Sequence, residues 1–181
     1  MPRSASTARA VPNDGDERSG AVLAVRRRAE LAGAIVATVV ALDQATKVWA
    51  VAALSDGPVQ LVGDDVELAL SRNTGGAFSL FRDFTPFLVV FAAVITVVLI
   101  RAIRRAPDLL TVAALALVVG GATGNLLDRV FRSPRPLHGA VVDFISFGTF
   151  PSFNVADSAI TAGAIGVVLR AWRAGDEPDA G

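Results

Sequence analysis

Long apolar runs separated by short polar segments set the pattern of this chain, at residues 31–53, 84–103, 109–129 and 154–172. Each is close to the roughly 20 residues that an α-helix needs to cross about 30 Å of hydrocarbon, so four transmembrane helices are predicted. Residues 1–29 mix Pro, Gly, Ser and both charge signs and end in Arg26-Arg27-Arg28, and residues 174–181 are similar. Both are expected to be disordered tails flanking a membrane domain at residues 30–173. The first run is longer than a signal-peptide core and starts too far into the chain to be one, so it is read as a membrane helix.

Between the first two runs the period changes. Val66, Leu68 and Leu70 alternate with Glu67, Ala69 and Ser71, which is strand spacing. Gly63-Asp64-Asp65 makes a turn, and Val59 to Val62 supplies a partner strand. The fold class expected is an all-α polytopic membrane protein of four helices with a small extracytoplasmic β-sheet and an outer loop.

Composition sharpens this. Hydrophobic residues make up 52% of the 181-residue chain, and 17 basic side chains cancel 17 acidic ones; mean hydropathy is +0.53. The absence of a positive excess removes a nucleic-acid binder held by charge. With no cysteine there is no disulfide, thiol nucleophile or Cys-ligated zinc. Placing both termini in the cytoplasm puts Arg26, Arg27, Arg28, Arg101, Arg104, Arg105, Arg170 and Arg173 inside. Arg72, Arg82, Arg129, Arg132 and Arg135 then lie outside, the sign the positive-inside rule requires. Segments 54–83 and 130–153 are then extracytoplasmic.

Acidic and amide side chains within or beside hydrocarbon are the candidates for chemistry. Asp143 lies in Val141-Val142-Asp143-Phe144-Ile145, an apolar setting that gives a carboxylate no structural excuse. Asp157 opens the fourth run, where it also fits as a first-turn acid behind the N-cap Asn154. The third run ends in Gly124-Asn125-Leu126-Leu127-Asp128-Arg129, whose i,i+3 and i,i+4 spacing puts Asn125, Asp128 and Arg129 on one face. An interfacial anchor accounts for that motif as well as a site does, and Arg129 beside Asp128 would hold the acid ionised. In the first run Asp43 and Lys47, at i,i+4 with Gln44 alongside, read as a paired brace. Arg72-Asn73-Thr74-Gly75-Gly76-Ala77-Phe78-Ser79 is polar and glycine-rich; it suits either an ordinary loop or close backbone contact with another chain.

The inventory narrows the reaction. His138 is the only histidine, commonly a solvated side chain in such a loop, and no His-Glu-x-x-His helix or Gly-x-Ser-x-Gly turn is present. A Ser-Lys dyad would have to use Lys47, the only lysine, beside Asp43. Two carboxylates remain. When they share a site one pKa rises and the other stays low, giving one group to activate water and one to protonate the scissile carbonyl or the leaving amine. Gly148 and Pro151 between Asp143 and Asp157 are read as turning the chain so that the two acids meet.

Five motifs carry a family resemblance across the membrane region: Asp43-Gln44-x-x-Lys47, Arg72-Asn73-Thr74-Gly75-x-Ala77-Phe78-Ser79, Gly124-Asn125-x-x-Asp128-Arg129, Val142-Asp143-Phe144 and Phe153-Asn154-x-Ala156-Asp157. In this order they resemble lipoprotein signal peptidase, the bacterial signal peptidase II. The resemblance implies an aspartic endopeptidase of the bacterial cytoplasmic membrane, working near the outer leaflet. It would remove the signal peptide of diacylglyceryl-modified prolipoproteins just before the lipidated cysteine. It implies catalysis by Asp143 and Asp157 and substrate contact or site lining by Asn73, Gly75, Asn125, Arg129 and Asn154. Asp43, Lys47 and Asp128 are the supporting set. No metal or organic cofactor is implied, and the partners are the lipid-modified substrate and membrane lipids, with the enzyme a monomer and no nucleic acid involved. The stretch 130–142 is longer than the family pattern. The alternative from the residues alone is a small proton- or ion-coupled transporter relaying through Asp43, Asp128 and Asp157, although no internal repeat supports it.

Overall fold

The computed structural model describes residues 14–63, 65–74, 85–133 and 137–175. Four helices, α1 (Asp14–Ala53), α2 (Thr85–Arg104), α3 (Leu109–Phe131) and α4 (Val155–Gly175), are joined by two pairs of strands, one between α1 and α2 and one between α3 and α4. The strands are β1 (Val59–Val62), β2 (Val66–Asn73), β3 (Val141–Phe147) and β4 (Phe150–Phe153). All four helices contain a stretch long and apolar enough to span a bilayer. The chain is a multi-pass membrane protein by that measure.

α1 departs from the expectation of a disordered tail through residue 29, because the helix begins at Asp14. Its 40 residues make about 60 Å, twice the hydrocarbon thickness. Ala, Leu, Arg and Glu, all strong helix formers, fill much of residues 21–30, and Arg26 pairs with Glu30 one turn on at 2.7 Å.

α3 is the central helix and packs on α1, α2 and α4. Between membrane helices close approach depends on small residues, and three glycines of α3 supply it. A Cβ on Gly120 would lie 2.9 Å from Val39 Cβ in α1, one on Gly121 would collide with the Ala156 carbonyl in α4, and one on Gly124 would meet Asp43 Oδ2. An apolar core of Ala32, Ile103, Val112, Leu115, Ala116 and Val119 fills one end of the bundle. At this end Asp108 caps α3 through the Thr111 N–H at 2.8 Å and its carboxylate also pairs with Arg170 of α4. Those two contacts hold the Asp108 carboxyl below the usual carboxylate range.

At the other end sits one antiparallel sheet in the order β1-β2-β3-β4. The expected hairpin is there: β1 pairs with β2 across a turn in which Gly63 takes φ +51. The sheet extends further than the sequence reading, because residues 141–147 are a strand paired with β2 and placed in its interior. Pro151 does not turn the chain. It lies within β4, an edge strand where the missing N–H costs nothing, and Gly148 at φ +46 makes the turn. Phe144 of β3 packs on Ala50 and Leu54 at the end of α1 and meets Trp49 edge-on, seating the sheet against the helices.

Candidate active site

Where sheet and bundle meet, five polar side chains are fully buried or nearly so: Asp43, Lys47, Asp128 and Asn154 at 0% exposure and Asp143 at 2%. They divide into an ion cluster and a pair of candidate acids, joined by asparagines.

The cluster centres on Lys47, whose Nζ lies 2.8 Å from Asp43 Oδ2 and 2.9 Å from Asp128 Oδ2. The brace expected from Asp43 and Lys47 is present, with Asp128 as a third member. Besides Lys47, the arginine that pairs directly with Asp128 is not its neighbour Arg129, as the sequence suggested, but Arg132, one turn further along the same helix face. Gln44 Nε2 closes the group with bonds to Asp43 Oδ2, the Gly124 carbonyl and Asp128 Oδ1 at 3.1 to 3.2 Å. Each acid also holds backbone. Asp43 Oδ1 accepts the Ala156 N–H at 3.0 Å and Asp128 Oδ2 accepts the Val142 N–H at 3.2 Å, tying down the start of α4 and the strand that carries Asp143.

Asn154 does the N-capping that the sequence allowed. Its Oδ1 accepts the Asp157 N–H at 2.9 Å while Asp157 Oδ2 accepts the Asn154 N–H at 3.3 Å, a reciprocal box. The first-turn reading of Asp157 is therefore true, and it does not exclude the other. The remaining end of the Asn154 amide donates to Asp143 Oδ1 at 2.7 Å. One side chain thus spans the two acids. Asn125 of α3 reaches the same place, donating from Nδ2 to Asp157 Oδ1 at 2.8 Å and accepting from Lys47 at 2.9 Å.

Burial raises the Asp143 carboxyl to about 6, and the neighbouring Asp157 carboxylate adds to the rise; hydrogen bonds from Asn154 and Asn73 oppose it. Asn73 arrives at the end of β2, two residues beyond Ser71, the partner of Asp143 in the sheet. Arg129 is half-buried, acts electrostatically on Asp143, Asp128 and Asp157, and leaves Nη1 buried with no hydrogen-bond partner among the described residues. Gly75 and residues 76–79 lie outside the described residues. The chain beyond α3 folds back over the helix end, with the Gly139 N–H on the Arg129 carbonyl at 2.9 Å and Leu137 at φ 67.

Asp157, half-buried, forms one wall of a 510 Å³ groove completed by Phe150, Phe153, Ser158, Thr161, Ala162 and Ile165, an apolar surface beside a carboxylate. A larger cavity of 740 Å³ between α1, α2 and α3 belongs to the opposite end, with Arg28 and Arg104 on its wall and no acid.

A family model described as signal peptidase (SPase) II matches residues 35–173, which contain every side chain named in the two clusters. The chain belongs to the signal peptidase II family. Lipoprotein signal peptidases of Mycolicibacterium smegmatis, Mycobacterium avium and Streptomyces coelicolor are 46%, 45% and 41% identical to it over 141, 144 and 155 residues. Those matches take in 77%, 79% and 85% of this chain and 60%, 79% and 76% of the relatives, so it spans less than two thirds of the first one's length. Two solved structures share the fold. One, a bacterial membrane enzyme structure obtained by the in meso method at 2.3 Å resolution, gives a TM-score of 0.71 at 26% identity over 83% of this chain and 92% of that one. The other, by the same method at 1.9 Å, gives 0.64 at 29% identity over 77% and 91%. Membership in signal peptidase II makes this a bacterial membrane peptidase, and the transporter reading is set aside.

Proposed function

We propose that this signal peptidase II cuts diacylglyceryl-modified prolipoproteins just before the lipidated cysteine, with Asp143 and Asp157 as its acid and base. The observation that carries this reading is the pairing of unlike carboxyls: Asp143 is buried with its pKa raised, whereas Asp157 is half-buried and opens on an apolar groove. A raised pKa suits a proton donor and a more open carboxylate suits an acceptor.

The reaction follows from those environments. Asp157 takes a proton from water as the water oxygen bonds to the scissile carbonyl carbon, and Asp143 gives its proton to the carbonyl oxygen. The tetrahedral diol then collapses: the C–N bond breaks, the proton on Asp157 goes to the departing amine of the cysteine, and one diol hydroxyl returns its proton to Asp143 as the new carboxyl C=O forms. Arg129, whose buried Nη1 has no hydrogen-bond partner among the described residues and whose charge acts on three acids, is the group to hold a substrate carbonyl. Asn73, Asn125 and Asn154 keep the two carboxyls in place, and Gly75 lies on the segment that meets substrate backbone. Asp43, Lys47 and Asp128 support them. No step calls on a metal or cofactor.

Both termini are cytoplasmic in this reading, and the site faces the outer leaflet, the depth at which a lipid-anchored cysteine presents its bond. The enzyme acts as a monomer among membrane lipids. The test is incubation of the purified protein with a lipidated prolipoprotein and with its unlipidated form. Release of the signal peptide from the lipidated substrate alone is expected; equal cleavage of both, or of neither, overturns the substrate assignment.

A further inference from the structure

The three ammonium protons of Lys47 have three acceptors, and only two of these belong to the ion cluster. Asp43 Oδ2 and Asp128 Oδ2 take two, at 2.8 and 2.9 Å. The third goes to Asn125 Oδ1 at 2.9 Å, out of the cluster and into the candidate site. An ammonium can only donate, so Asn125 must turn its oxygen toward Lys47. Its NH₂ is thereby committed to the other side, where Asp157 Oδ1 accepts it at 2.8 Å. Rotating the amide by half a turn would set N–H against an ammonium and oxygen against a carboxylate.

Stability does not explain why a cation is kept here. Asp43, Lys47 and Asp128 are all at 0% side-chain exposure, and replacing such a cluster by apolar groups of similar volume is often neutral or stabilising. An apolar replacement cannot supply the outward N–H. The Asn154 amide is oriented by a different donor, the Asp157 backbone N–H, whereas Asn125 Oδ1 has two donors, Lys47 at 2.9 Å and the Asn154 amide at 3.3 Å, and the shorter, charge-assisted bond is the one from the cluster.

We propose that Lys47 is a positioning residue for peptide cleavage: it fixes the amide orientation of Asn125, which in turn holds the Asp157 carboxylate in the pose that accepts a proton from water. This rests on the reading of Asp157 as the base. The adjoining bonds from Asp43 and Asp128 to the Ala156 and Val142 backbone serve architecture, so the test must separate positioning from support.

Two charge-neutral double variants do so, Asp43→Asn/Lys47→Gln and Asp43→Asn/Lys47→Met. Both remove one charge of each sign with side chains of similar size, but only glutamine can donate to Asn125 Oδ1. At equal amounts of folded protein, the Met form is expected to lose between about 10- and 100-fold in kcat, the scale of a misplaced catalytic group. The Gln form is expected to stay within about threefold of Asp43→Asn alone by the same reasoning, with KM near the parent value in both. The proposal is overturned if the Gln and Met forms have the same kcat, whether both are active or both impaired, or if the difference lies wholly in KM. Asp157→Asn, assayed alongside, reads the underlying assignment separately: if it cleaves normally, Asp157 is not the base and the mechanism fails, whatever the Lys47 variants do.

Discussion

Asp143 combines two properties that oppose each other in a folded protein, near-complete burial and a titratable carboxyl. Its pKa, raised from 3.8 to about 6, means that the folded state binds a proton more tightly than the unfolded state does. Below pH about 4 both states are protonated and the group costs nothing; as pH rises through 6 the folded state must ionise it and stability falls. At about 1.4 kcal/mol per pKa unit the upper limit of that loss is about 3 kcal/mol at neutral pH. Asp143→Asn, which keeps the shape and the acceptor for Asn154, is therefore expected to raise thermal stability at pH 7 and to have a smaller effect at pH 4. Melting curves at the two pH values measure this. A variant destabilised at pH 7 would show that the ionised carboxylate is a structural requirement, contrary to a site that holds it at a cost for chemistry.

At the scale of the elements, α1, α3 and the start of α4 meet through one buried ion cluster, and its acids are distinct from the buried Asp143 and from Asp157, which lines the groove. Asp128→Asn keeps one side-chain oxygen but removes the carboxylate charge that pairs with both Arg132 and Lys47. The expected loss is about 3 kcal/mol, toward the low end for breaking a buried pair, with cleavage per folded molecule falling less than in the Asp143 and Asp157 variants. Denaturation in detergent, set beside activity at equal folded protein, distinguishes the two effects. The four apolar runs, the β1–β2 hairpin and the Asp43–Lys47 brace were legible in the sequence, because each obeys a local rule of length, period or spacing. Strand β3 was not: Val141 to Phe147 lacks alternation, being buried from Val141 to Phe144, and only pairing with β2 makes it a strand. Arg132 was missed because adjacency favoured Arg129, although i,i+4 is the helical neighbour. The capping box at Asn154 and Asp157 could be read locally, but its bond to Asp143 is tertiary and leaves no trace in spacing.

For the whole molecule, Arg26, Arg27, Arg28, Arg101, Arg104, Arg105, Arg170 and Arg173 lie at the end away from the sheet, against Arg72, Arg129 and Arg132 among the described residues at the end beside it. Reporter fusions at Gly57 and Gly181 are expected to give opposite signals, extracytoplasmic and cytoplasmic; matching signals would contradict the four-span topology. That topology matters because a lipid-anchored substrate reaches the enzyme by lateral diffusion, and its scissile bond is restricted to one depth. The groove beside Asp157 opens at the junction of α4 and β4, where an apolar segment and a reacting carbonyl can be held together. The central claim is that Asp143 and Asp157 jointly perform the cleavage, and the most direct measurement is the rate at which Asp143→Asn and Asp157→Asn release the signal peptide from a lipidated prolipoprotein at equal amounts of folded enzyme. Each substitution removes a proton carrier that no neighbour replaces, so each is expected to lower the rate by at least about 1,000-fold, as in other sites whose groups act as a unit. A near wild-type rate for either variant would contradict the account.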